Sequence, residues 1–451
     1  MPLPAFVRPG RHSTARDLMR VFAATVWVGE FLNLVFGWTV AGAISAVALC
    51  GFLVLSATRL DPFTRGGAIF LVFLGIVSVA LGADPWRGLE RLWMATLIAS
   101  FLMMLVLLRC TIGAHPALEM IRRKFVAIDK GDRSGGIILV NHLLGSVLMV
   151  GVMSFFAPLI GDAPHEERRR AAELSIRGVA LIIMWSPFTV GMATVTTSLT
   201  NVPFWQIASV GAVITLAAFL ASLALGEIRL RPDALGKILV AVQPILLPLC
   251  GITIVILLLA RVWDRPALAA ATLLLLPFCL AWTRFMGPGT TKSVVHATFG
   301  SLDRLSSELT LFTLAIVLAG LILDIPALAS VLHSLSERHL PLYPLIMAGG
   351  LLIGLVPVVG VHMIVPATIV LAIYQDIGTG SHVEELILAI HVLLGWCFGS
   401  LVGLGSLSLL TASTVYRIPR SQLVFGNNLA FLILLFAAVS LGGGLAFALA
   451  R

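Results

Sequence analysis

The sequence predicts an all-α polytopic membrane protein, with about 11 transmembrane helices and two re-entrant hairpins laid out as an inverted repeat. Three observations carry this reading. Of 451 residues, 59% are hydrophobic and only 12% are charged, against about 45–50% and 25% in soluble domains. The apolar residues fall into about a dozen stretches, each long enough to cross or re-enter a hydrocarbon core about 30 Å thick. The order of elements in the first half then recurs in the second. Such a composition excludes soluble enzymes, nucleic-acid binders and disordered scaffolds. The formal charge of +8 is accordingly read as loop topology and not as the mark of a nucleic-acid partner.

The first unit, residues 1–38, places Arg8, Arg11, Arg16 and Arg20 ahead of an apolar run. That start is similar to a signal n-region, but Glu30 interrupts the run and no small-residue cleavage site follows, so the reading is an uncleaved first span over 21–38. Residues 39–226 form the first repeat: spans at 39–55, 66–81 and 91–108, then an amphipathic stretch over 115–127 whose Arg122, Arg123 and Lys124 predict a surface helix. The stretch 135–162 has basic residues on both flanks, Lys130 and Arg133 before it and Arg168, Arg169, Arg170 and Arg177 after it. A hairpin that enters and leaves from the cytoplasm satisfies the positive-inside rule on both sides, and Gly135, Gly136, Gly145 and Gly151 permit its turn. A broken span over 178–199 follows, interrupted at Ser186-Pro187 because proline removes a backbone donor. A last span covers 203–225.

Residues 227–451 repeat that order. Spans at 238–260, 267–282 and 305–323 precede a surface helix over 327–338, an outer-side hairpin over 342–374, a broken span over 387–416 and a last span over 422–450. Val150-Gly151-Val152-Met153 with Pro158 is echoed by Val359-Gly360-Val361-His362 with Pro366, Trp185 by Trp396, and Pro203 by Pro419, at offsets of 209, 208, 211 and 216 residues. A nearly constant offset reads as duplication. Five spans per repeat invert the second copy, with the N-terminus cytoplasmic and the C-terminus periplasmic. On that topology 24 of 30 Lys and Arg lie inside, with Arg87, Arg91, Arg261, Arg265, Arg338 and Arg451 outside. The use of 26 Arg to 4 Lys fits a GC-rich bacterial genome, and the expected location is a bacterial inner membrane.

Discontinuous helices at the interface of inverted repeats leave backbone N–H and C=O groups facing a midplane cavity. Helix N-termini there favour anions and freed carbonyls favour cations. The breaks are expected at Gly151, Gly360, Ser186-Pro187 and Gly399-Ser400. Hydroxyls cluster near them, so the candidate substrate-binding set is Gly151, Ser154, Ser186, Thr189, Thr194, Gly360, His362, Ser400, Thr411, Ser413 and Thr414. Taken singly, each hydroxyl is as well explained by back-bonding to its own helix. Apart from Asp162 at the end of the first hairpin, the hairpins and the central parts of the broken spans contain no Asp, Glu, Lys or Arg, so recognition is expected to rest on backbone dipoles, hydroxyls and histidine. Among His142, His362 and His391, His362 is nearest a tip and is the candidate for proton coupling; the competing reading is a neutral ring satisfied by a carbonyl. Asn141 reads as a structural hydrogen-bonder, as Asn427-Asn428 also can, and Glu30 as a scaffold or subunit contact. The five cysteines form no C-x-x-C or metal-like cluster. No catalytic set, cofactor or resident metal is expected.

This layout resembles the ion transporter superfamily, in particular the divalent anion:sodium symporter type. The resemblance runs through Val150 to Pro158 and Val359 to Pro366 as hairpin tips. It continues through Ser186 to Pro203 and Gly399 to Asn427 as interrupted helices, the latter carrying Thr411-Ala412-Ser413-Thr414, Pro419 and Gly426-Asn427. It implies a homodimer in the lipid bilayer that moves a small-molecule anion by an elevator motion, with Na+ or H+ as the coupling ion. Where those symporters carry Ser-Asn-Thr at each tip, this chain has Gly151-Val152-Met153-Ser154 and Gly360-Val361-His362-Met363, so the resemblance by itself does not establish sodium coupling or dicarboxylate specificity. The expected function is secondary active transport of an organic or inorganic anion. The alternatives are a cation/proton antiporter or metalloid exporter on the same fold, and a membrane enzyme acting on a lipid-linked substrate, which the scattered loop carboxylates disfavour.

Overall fold

A chain this apolar satisfies its backbone within lipid by closing every amide on a carbonyl of the same segment, and the helix is the form that does so. The computed structural model describes residues 13–450 except 157–159, 161–162, 200, 264, 338–341, 360, 378–380 and 405. Among the described residues every regular element is helical, and nine helical segments are long and apolar enough to cross a membrane. Two further spans expected from the sequence take other forms. The third helix presents a shorter apolar run, Thr64–Ala80, and the stretch 178–199 is broken.

The first half comprises α1 (Ser13–Phe36), α2 (Thr39–Ser56), α3 (Pro62–Ala80), the short α4 (Pro85–Glu90) and α5 (Leu92–Gly113). From Met94 to Leu108 every residue of α5 is buried, as expected of a helix apolar on all faces. The surface helix α6 (Ala117–Val126) buries Leu118, Ile121 and Phe125 and exposes Arg122, Arg123 and Lys124, as its sequence predicts. Next come α7 (Arg133–Leu148) and α8 (Gly151–Phe156), then α9 (His165–Ala180), α10 (Val190–Ser198) and α11 (Phe204–Ala224).

The second half contains α12 (Pro232–Trp263), α13 (Ala267–Phe285), α14 (Thr290–Ser301), α15 (Ser306–Leu323) and α16 (Pro326–Glu337). It continues with α17 (Leu342–Leu355), α18 (Ile364–Ile377), α19 (His382–Val402), α20 (Leu407–Tyr416), α21 (Arg420–Val424) and α22 (Asn427–Leu449). Helix α14 answers to no element expected from the sequence. Its apolar content is too low for a span, and it starts after Gly289, whose φ of 83° lies in the left-handed region.

Two expected positions move. The turn between α7 and α8 falls at Met149, which has φ 50°, so Gly151 opens α8 instead of forming the tip. The second break is not at Gly399-Ser400: α19 continues to Val402, and the chain leaves the helix at Gly403. The glycines of α19 serve close packing against α17, since a Cβ on Gly395 would lie 2.3 Å from the Gly350 carbonyl oxygen. The first break does fall at Ser186-Pro187. There α9 ends in a 3-10 turn, Leu181–Met184, and α10 restarts at Val190. Helix α11 comes so near this turn that a Cβ on Gly211 would sit 1.7 Å from the Met184 oxygen.

The packing of the two halves is reciprocal. Helix α7 lies along α9 and α17 along α19, while α8 packs on α20 and α18 on α10. Polar clamps fix the ends. Arg177 of α9, 2% exposed, donates to Asn428 Oδ1 at 3.1 Å, to Ser222 Oγ at 3.1 Å and to Glu227, and lies 4.1 Å from the Phe431 ring centroid. Ahead of α7, Asp132 accepts from the Arg231 backbone at 3.0 Å and from its Nε at 2.8 Å. Those bonds hold its carboxyl below the ordinary carboxylate range.

Candidate functional site

The two breaks and the two tip regions meet around one cavity of about 100 Å³. Met149 and Val150 reach it from the α7–α8 turn, and Thr189, Val190 and Gly191 from the start of α10. His362 and Met363 reach it from the residues before α18, and Ser400, Ser406, Leu407 and Ser408 from the second break. Trp396, Ile182 and Ile183 supply apolar wall, and Glu308 and Phe312 of α15 close the opposite side.

Local chemistry explains why the chain holds this shape. At the first break Thr189 Oγ1 accepts from the Met192 amide at 3.3 Å and donates to the Ser186 carbonyl at 3.2 Å, capping α10. At the second, Ser406 Oγ accepts from the Leu409 amide at 3.1 Å and donates to the Ser400 carbonyl at 2.9 Å, capping α20. His362 does the same for α18: its Nδ1 accepts from the Ile364 amide at 3.2 Å, which places the proton of the neutral ring on Nε2. The ring meets Phe312 edge-on, with centroids 5.5 Å apart. Three helices, α10, α18 and α20, therefore begin at this cavity and aim the positive ends of their dipoles at it. The hydroxyls of Ser400 and Ser408 lie 3.0 Å apart on its wall. The arrangement suits a small anion, with N-terminal amide dipoles for charge and hydroxyls for orientation.

Of the residues expected from the sequence, Thr189, His362 and Ser400 line the cavity. Ser186 sits directly behind Thr189, buried, with its Oγ accepting from the Phe188 amide at 3.2 Å. Thr194 is buried within α10 and its hydroxyl has no partner among the described residues. Gly151 and Ser154 are exposed on α8 and stand apart from the cavity. Thr411, Ser413 and Thr414 also lie away from it, the last exposed and bonded back to Leu410 O at 2.9 Å. The cavity meets only the first turn of α20, so residues farther along that helix point elsewhere. Gly360 lies outside the described residues.

The other polar candidates are structural. His142 is held as a neutral ring, donating from Nδ1 to Gly178 O at 2.9 Å and accepting at Nε2 from the Trp185 indole at 3.0 Å. His391 donates to Ile387 O at 2.8 Å. Asn141 donates to Ile137 O at 2.8 Å and Ser175 Oγ at 3.2 Å. Asn427 and Asn428 tie α22 to Glu173 at 3.1 and 2.9 Å. Glu30 is 4% exposed and lies beside Thr96 of α5 and Asn33 of α1. Among the described residues no His, Cys, Asp or Glu cluster is arranged to hold a metal ion.

Two charged residues escaped the sequence reading. Glu308 lines the cavity and has no hydrogen-bond partner among the described residues. Arg109 of α5 reaches the α7–α8 turn, where it donates to Met149 Sδ, and its buried Nε has no partner among the described residues. Each lies at the edge of an apolar run, where a charge ordinarily marks the membrane boundary. The only available signal was that α5 continues a full turn past residue 108, to Gly113.

In comparison with known proteins, no family model and no curated protein matches this chain.

Proposed function

We propose that this protein is a secondary active transporter that binds a small organic or inorganic anion in the cavity between its two broken helices. One observation carries the reading: the N-termini of α10, α18 and α20 converge on a single hydroxyl-bearing space. Amide dipoles at helix starts stabilise negative charge placed before them. The reciprocal packing of α8 on α20 and α18 on α10 supports two oppositely inserted repeats of five spans. On this reading α7–α8 and α17–α18 are re-entrant hairpins, and the 11 spans form an elevator of the ion transporter superfamily type. The mobile body comprises the hairpins and broken helices, and the scaffold comprises α1 to α5 and α12 to α15, working as a homodimer in a bacterial inner membrane. Na+ or H+ drives the cycle.

Uptake into proteoliposomes of labelled carboxylates and oxyanions, with and without sodium, tests the function. Cysteines placed at Gly151 and Val361 test the arrangement: they are expected to react with impermeant reagents from opposite sides of the membrane, and same-side reaction refutes the inversion. A cation/proton antiporter is the second reading, favoured by the Glu308 carboxyl in the cavity. Flux driven by a pH gradient alone, with no anion moving, would establish it in place of the first.

A further inference from the structure

The anion reading leaves open how a second ion is coupled to the first, and two side chains that sequence reasoning missed bear on it. Glu308 is the one carboxyl on the wall of the cavity, and it makes no hydrogen bond among the described residues. Arg109 is a cation whose charge reaches it. Its guanidinium is enclosed by protein, forms no ion pair among the described residues, and spends a donor on the thioether of Met149, a weak acceptor. Met149 itself lines the cavity, so the guanidinium stands behind the α7–α8 turn within electrostatic reach of Glu308.

Other charges around α15 are already occupied or lie toward its ends. Before α3, Asp61 accepts from Ser307 Oγ at 3.3 Å and from the Thr64 amide at 3.1 Å, while Arg65 donates to Thr58 O and Leu60 O. In the turn before α15, Asp303 pairs with Arg16 at 3.2 Å and Arg304 is exposed. At the far end, near α4 and α16, Arg87 pairs with Asp324 at 3.6 Å and with Glu90 at 3.3 Å. Helix α2 brings only the exposed Cys50, α5 adds Cys110 beside Arg109, and His362 precedes α18 with its Nδ1 engaged.

We infer that Glu308 and Arg109 form the proton-coupling element of the cavity, in which the transported anion and the Glu308 carboxylate compete for one guanidinium. The inference rests on the transport reading and adds to it the identity of the coupling ion. An enclosed charge is tolerated when it is balanced. With the cavity empty, the Glu308 carboxylate balances Arg109. An incoming anion would leave two negative charges against one positive, so it enters together with a proton that converts the carboxylate to the neutral acid. The anion then takes over Arg109. On the other side both leave, the proton returns to water and the carboxylate balances Arg109 again. One proton moves with each anion.

The test uses the full-length protein in proteoliposomes, with the membrane potential clamped at zero and sulfate, phosphate, succinate and citrate as probes. One proton per anion gives about tenfold accumulation per pH unit of gradient. For any probe carried by the wild type, Glu308→Gln is expected to lose that accumulation and retain anion-for-anion exchange, and Arg109→Gln to lose both. Proton-driven accumulation surviving in Glu308→Gln overturns the inference and leaves the transport reading intact. Failure of the wild type to carry any of the four overturns both. A second arm needs no anion. In thermal unfolding at neutral pH each single variant is expected to lower the midpoint, and Arg109→Gln/Glu308→Gln to recover most of the loss; additive losses overturn the pairing.

Discussion

Replacing Arg177 by Met tests the clamp that joins α9, the end of α11 and α22. Met keeps an unbranched apolar stem but deletes every donor. Asn428 is 0% exposed, and its Nδ2 is already spent on Glu173 O at 2.9 Å. Its Oδ1 therefore loses its partner, at a cost of about 1–3 kcal/mol. Ser222 can turn back on its own helix and loses little. Glu227 is about one-third exposed (34%), and water screens most of its loss, leaving about 0.5 kcal/mol. The contact with Phe431 is worth about 1–2 kcal/mol, and relief from burying the guanidinium returns part of the total. A net loss of about 2–3 kcal/mol is expected, read as a lower unfolding midpoint in mixed detergent micelles. Adding Asn428→Leu removes the orphaned oxygen, so the double variant should be more stable than the sum of the singles by about 1 kcal/mol or more. Strict additivity, or an Arg177→Met protein as stable as the parent, refutes the reasoning.

Three other outcomes are expected. Gly395→Ala puts a methyl 2.3 Å from the Gly350 oxygen; since backbone yields poorly, the α17–α19 contact should lose about 1–3 kcal/mol, and an unchanged melting temperature would contradict the close crossing. Trp185→Phe keeps the ring beside His142 but strips its Nε2 of the 3.0 Å donor, so a loss of about 1–3 kcal/mol is expected in the same assay. Asp132→Asn should lower the melting temperature by a constant amount from pH 8 to 5. Because Arg231 depresses the carboxyl's titration in the folded protein, the pair contributes fully above the ordinary value of about 3.9 and fades as pH falls through the lowered one. The two proteins should then converge only in strong acid; convergence near pH 6 would exclude this cause.

How much was legible in the sequence depended on whether a residue acts through its own backbone or through its neighbours. Pro187 cannot continue a helix, and the chain breaks there. The face pattern of Leu118, Ile121 and Phe125 predicts a surface helix, and one is found. Gly399 was ambiguous, because a glycine that interrupts a helix and one that admits a neighbour look the same in one dimension; only the approach of Ile353 and Pro357 distinguishes them. The α7–α8 turn fell on Met149 although Gly151 is the easier residue for a positive φ, since its position is also set by Arg109 from a distant helix. The hydroxyls of Thr411 to Thr414 belong to the right element but to turns past the cavity. Glu308 stayed hidden because membership of a cavity is a property of several helices at once.

The interlocking of α8 with α20 and of α10 with α18 bears on biogenesis. When the ribosome has finished α11, neither the partner of α8 nor that of α10 has been made, and some two hundred and fifty residues of synthesis separate α8 from the helix that covers it. The early segments must wait in the bilayer with their packing faces bare. A chain truncated after residue 226 would present those faces permanently, so quality control should recognise the isolated front half as incomplete, whereas a split pair of fragments expressed together should find each other and assemble.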